Sequence, residues 1–137
     1  MRISISKEFV VSALLVILFA PLSAFADTLF FSPTSGSYNV GQTFPVRILV
    51  SSTQRAINAA SGVLSFPADK LQVTSVSKVG SILSLWVQEP SFSNSQGTVS
   101  FEGVVPNPGF NRQDGRIITV NFRATNTGNA SLRLSSG

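Results

Sequence analysis

The chain has 137 residues, a formal net charge of +4, and neither cysteine nor histidine. That length accommodates one domain, and the missing residue types exclude disulfide frameworks, thiolate nucleophiles, His-based triads and most metal sites. Hydrophobic residues make up 43% of the chain against 12% charged, and much of that apolar content lies at the N-terminus.

Arg2 and Lys7 form a short basic region, Val10 to Ala20 is apolar apart from Ser12, Pro21 interrupts it, and Ala24-Phe25-Ala26 has the small-x-small pattern. These are the three parts of a secretory signal peptide. The apolar run falls well short of the roughly 20 residues a spanning helix needs. Cleavage is therefore expected after Ala26, which leaves residues 27–137 as a secreted or cell-surface domain with no membrane span. No cysteine follows that point, which excludes a lipoprotein.

Beyond Ala26 the sequence is rich in Ser, Thr, Asn and Gly, and apolar residues alternate with a period of two, as expected of strands joined by turns. Thr28 to Phe31 reads as a short first strand, stopped at Ser32-Pro33. In Thr43 to Ser51, Phe44, Val46, Ile48 and Val50 share one face, and Pro45 stands near the start, where a missing N–H is tolerated. Asn58 to Phe66 points Leu64 and Phe66 inward and Ser61, Val63 and Ser65 outward. A turn at Pro67-Ala68-Asp69-Lys70 leads into Leu71 to Lys78, with Leu71 and Val73 inward and a shift of phase before Val76. Ile82 to Ser93 contains a strand, but Pro90 interrupts its ladder and leaves the faces of Trp86 and Gln88 open.

Thr98 to Val105 directs Val99 and Phe101 inward and Ser100 and Glu102 outward, and the pair Val104-Val105 after Gly103 suggests a bulge there. A loop rich in Pro, Gly and Asn spans 106–115. Arg116 to Ala124 then alternates with Ile118, Val120 and Phe122 inside. Asn129 to Ser135 places Ala130, Leu132 and Leu134 inside. The pattern amounts to eight strands, which suits an all-β fold of two antiparallel sheets packed face to face; a closed barrel is the alternative.

Little in the sequence points to catalysis. Glycoside hydrolysis needs two carboxylates about 5–9.5 Å apart across the bond, and Glu89 with Glu102 is the candidate pair, yet both lie in alternating segments where an outward acid is a solvated face. No serine stands in a Gly-x-Ser-x-Gly elbow. Gly36, Gly41, Gly62, Gly80, Gly97 and Gly128 are spaced as turns or strand interruptions, not as a phosphate loop, and no acidic ladder suggests calcium. No catalytic residue, metal ligand or cofactor is expected. The basic residues fall singly and only one Trp and one Tyr are present, so neither a phosphate-neutralising patch nor a stacking platform for nucleic acid is evident. Trp86 is a candidate for stacking on a sugar ring, against packing at the edge of the sandwich. Asn129-Ala130-Ser131 matches a glycosylation sequon.

Several segments together resemble the cohesin domain, in the wider superfamily that includes bacterial cellulose-binding modules. They are Val40 to Val46 (VGQTFPV), Gly62 to Val76 (GVLSFPADKLQVTSV), Asn94 to Val105 (NSQGTVSFEGVV) and Ile117 to Ala124 (IITVNFRA). The resemblance implies a nine-stranded sandwich of jelly-roll topology whose last strand would follow Gly137, so the chain is expected to be the N-terminal part of a longer surface protein. It implies a non-catalytic extracellular module linked to polysaccharide catabolism, with a dockerin-like protein module or a polysaccharide as partner. A structural spacer or adhesion domain is the alternative. The family's partner-binding face maps onto Ala59, Ser61, Val63, Ser65, Ser100 and Glu102. At Ala59 and Ser61 cohesins typically carry Asn and Asp, so here the resemblance implies a partner held by shape and apolar contact more than by charge.

Overall fold

Eight strands make up the regular structure of residues 28–136, the part of the chain that the computed structural model describes. They are β1 (Thr28–Ser32), β2 (Thr43–Ser51), β3 (Ala59–Ser65), β4 (Leu71–Ser77), β5 (Leu85–Ser93), β6 (Thr98–Val104), β7 (Gly115–Ala124) and β8 (Arg133–Ser136). Two four-stranded antiparallel sheets, ordered β1-β2-β7-β4 and β5-β6-β3-β8, form an open sandwich. The export signal expected over residues 1–26, and the ninth strand expected past Gly137, lie outside the described residues. Among those described, no helix is long and apolar enough to cross a membrane.

The two sheets meet because each strand carries its apolar residues on alternate positions. Phe44, Val46 and Ile48 of β2 stand opposite Phe122, Val120 and Ile118 of β7, and all of them are buried. From the facing sheet come Leu64, Val99 and Phe101, each at most 1% exposed. Phe66 closes edge-on against Phe122, with ring centroids 5.3 Å apart and an interplanar angle of 76°, a favoured aromatic geometry. The inward residues expected from alternation are buried, with Leu134 packed more shallowly against the same core.

The departures from simple alternation have local causes. The register between β2 and β7 slips after Ile48, so Ile117 joins Ile118 inside the core. The expected change of phase in β4 is a register shift between Val73 and Ser75. The irregularity expected at Gly103 is found on one side only: β3 and β6 pair without a shift from Ala59–Val104 to Ser65–Thr98, whereas β5 shifts register between Trp86 and Gln88, opposite Gly103 and Glu102, with the extra residue in β5. Gly103 faces inward on the phase of Val99 and Phe101, and a Cβ there would come within 3.0 Å of Leu83. Gly62 likewise does not interrupt β3; the Phe101 ring occupies the space its side chain would fill. The last strand begins at Arg133, later than the expected Asn129, although Ala130 and Leu132 are still buried.

Loops complete one end of the core. Ile57 and Phe110 exchange backbone hydrogen bonds of 2.9 and 3.0 Å, and both side chains are buried together with Leu83 and Val105.

Candidate functional site

In β3, Gly62 and Leu64 face the core, which turns Ala59, Ser61, Val63 and Ser65 to the outside. In β6, Val99, Phe101 and Gly103 do the same for Thr98, Ser100, Glu102 and Val104. Antiparallel pairing then sets Ala59 beside Val104, Ser61 beside Glu102, Val63 beside Ser100 and Ser65 beside Thr98. All of the face residues expected from the sequence therefore lie on one continuous outer surface. Ala59, Ser65 and Glu102 are exposed, while Ser61, Val63 and Ser100 are half-buried among their neighbours.

The flanking strands extend this face. On one side β8 brings Ser135 beside Val63 and Arg133 beside Ser65. On the other, β5 brings Gln88 beside Glu102, Ser91 beside Ser100 and Ser93 beside Thr98. Thr98 and Val104 share the phase of Ser100; Thr98 was legible from alternation, whereas the pair Val104-Val105 obscured the phase of Val104. Gln88 and Ser91 were not, because β5 changes register between Trp86 and Gln88 and again between Gln88 and Ser91. The surface is mostly hydroxyls and small apolar groups, with Glu102 and Arg133 as its charges. Such a set can hydrogen-bond and pack but holds no base poised to activate a nucleophile. Among the described residues no group of three His, Cys, Asp or Glu side chains could hold a metal ion.

Trp86 lies elsewhere. It pairs with Gly103 on the inward phase, and its half-buried indole packs against the core. The Lys78 ammonium sits 5.6 Å from the ring centroid and also donates to Glu89 at 2.6 Å. Glu89 is thus committed to Lys78, whereas Glu102 lies next to Gln88 on the outer face.

No protein-family model matches the chain, and no curated protein matches it. Solved structures do. The sixth cohesin of scaffoldin B from Acetivibrio cellulolyticus, solved in complex with a mutant Cel5 dockerin, is 18% identical with a TM-score of 0.61 over 80% of this chain and 81% of that one. The seventh ScaB type I cohesin from Pseudobacteroides cellulosolvens is 22% identical, with a TM-score of 0.58 over 73% and 70% of the two chains. The second type II cohesin module of the ScaA adaptor scaffoldin from A. cellulolyticus is 10% identical, with a TM-score of 0.63 over 82% and 72%. These likenesses include type I and type II cohesins and span most of each chain, and they agree with the two-sheet sandwich: the chain has the cohesin fold.

Proposed function

We propose that the chain is a non-catalytic cohesin-like module that takes a dockerin-like protein partner on the outer face of β3 and β6. The observation that carries this is the in-register outward row Ala59–Val104, Ser61–Glu102, Val63–Ser100 and Ser65–Thr98. Its side chains are short, so a partner helix can lie close to the sheet and gain shape complementarity over a broad contact. With few charges on the face, apolar contact and hydroxyl hydrogen bonds supply affinity, and Glu102 supplies orientation. Export to the cell surface, and assembly there of enzymes that act on polysaccharides, belong to the same proposal. Protein is favoured over polysaccharide because the indole of Trp86 packs against the core beneath Lys78.

The test is a pull-down on dockerin-bearing proteins beside one on insoluble cellulose, using wild type, Ser61→Arg and Trp86→Ala. Ser61→Arg sets a bulky cation in the middle of the face and is expected to weaken dockerin binding at least tenfold, about 1.4 kcal/mol, with the thermal midpoint unchanged. Retention on cellulose that requires Trp86 and ignores Ser61 would overturn the protein reading. Failure on both supports favours a spacer or adhesion domain.

A further inference from the structure

The other sheet carries a second feature that the sequence scatters and the fold collects. Arg47, Arg112 and Arg116 line one hollow of about 600 Å³, with Asp114 as its acid and Leu49 also in its lining. Arg47 and Leu49 point outward from β2, and Arg116 stands opposite Leu49 on β7. None of these arginines is ion-paired among the described residues, where the bridges are Lys70–Asp69 and Lys78–Glu89.

The hollow is built, not merely charged. The Arg112 guanidinium lies 5.5 Å from the centre of the Phe110 ring, and the Arg112 carbonyl accepts from Ser52 N at 2.8 Å. Arg116 packs over Gly80, where an added Cβ would come within 3.0 Å of its Nη1, and its carbonyl accepts from Ile82 N at 2.9 Å. The main chain at Arg112 and Arg116 is thus fixed by these hydrogen bonds, and the Arg112 guanidinium rests near the Phe110 ring. Guanidinium stays charged at any relevant pH and presents planar forks that match the oxygens of carboxylate or sulfate. A concavity of one dominant sign also focuses its field on an incoming anion, and the hollow is open to solvent, so a charged group can reach the arginines directly.

We propose that this hollow binds an oxyanion group carried on a sugar chain, a carboxylated or sulfated glycan. The fold disfavours the other polyanions. Phe110 is buried, so no base can stack on it. An extended peptide adds to a free strand edge, but β2 and β7 are paired on both sides. A glycan rich in acceptor oxygens suits arginines, which only donate. The hollow opens on the sheet opposite the β3–β6 face, so both ligands can be held at once. The inference does not depend on the protein-binding reading.

The test is calorimetric titration of the protein with oligogalacturonate, a sulfated oligosaccharide, cellohexaose and polyglutamate at low and high salt. Saturable binding of either anionic glycan that weakens with salt is expected, with no binding of cellohexaose, and the preferred anion identifies carboxylate or sulfate. Arg47→Gln and Arg116→Gln are each expected to weaken binding roughly tenfold, the effect of losing one charge-assisted hydrogen-bonding partner. Arg123→Gln, which removes the same charge from β7 outside the hollow, is expected to leave it unchanged. Circular dichroism confirms that each variant is folded. Equal losses for Arg123→Gln and the hollow variants would reduce the effect to net charge and overturn the proposal. Tighter binding of polyglutamate, or no binding of either anionic glycan, would overturn it as well.

Discussion

Gly97 shows how much a single methyl group can matter in this fold. It is buried in the turn between β5 and β6 with φ at +70°. Its N–H donates to the Ser93 carbonyl at 2.8 Å and its own carbonyl accepts from Phe66 N at 2.9 Å. An added Cβ would press into the backbone oxygen of Phe66, so neither the turn nor its neighbour can yield cheaply. Gly97→Ala is expected to cost about 2 kcal/mol, from the left-handed backbone and the steric overlap together. Urea denaturation checks this, and an unchanged midpoint would contradict it. A gentler effect is expected at Asp69, whose carboxyl is held below its ordinary pKa by the hydrogen bond and charge of Lys70. A depressed folded pKa contributes stability above the unfolded value, and that contribution is lost as pH falls through the folded one. Lys70→Met is expected to return the Asp69 titration, followed by NMR, toward the usual carboxylate range. No change would mean that the pair does not persist in solution.

At the scale of the element, β5 is the strand that alternation could not resolve. It carries Pro90 yet remains a strand, because it lies at the edge of its sheet, where one backbone N–H can be missing. Leu85 and Val87 are 65% and 63% exposed while Trp86 between them turns toward the core, and the register changes come after Trp86. A strand whose phase changes twice within nine residues has no single period to read. By contrast β2, most of β6, and β7 from Ile118 onward were legible because one face of each is buried there, which forces the period of two. The contacts of Ile57, Leu83 and Phe110 were not legible, since they belong to loops whose partners are distant in sequence. Trp86 is the only tryptophan, so its fluorescence reports on this edge alone. Lys78→Ala removes the ammonium from over the ring and is expected to shift the emission to the red, with less than about 1 kcal/mol of stability lost. An unshifted spectrum would show that Lys78 does not cover the indole.

For the whole molecule, the sandwich gives two outer faces of different chemistry: hydroxyls and small apolar groups on β3 and β6, arginines on β2 and β7. The first was legible in the sequence, because strand phase and family resemblance both assign Ser61, Val63, Ser100 and Glu102 to the outside. The second was not, because Arg47, Arg112 and Arg116 are far apart along the chain and only β2–β7 pairing and the loop after β6 bring them together. The proposed division of labour, protein partner on one sheet, leads to a direct measurement. Backbone amide shifts of the isotopically labelled protein can be followed by NMR as a dockerin module is added. The largest changes are expected at Ser61, Val63, Ser100 and Glu102, with the amides of Arg47 and Arg116 unmoved. Changes centred on Trp86 or on the arginine hollow, or none at saturating dockerin, would contradict the assignment of the β3–β6 face as the binding surface.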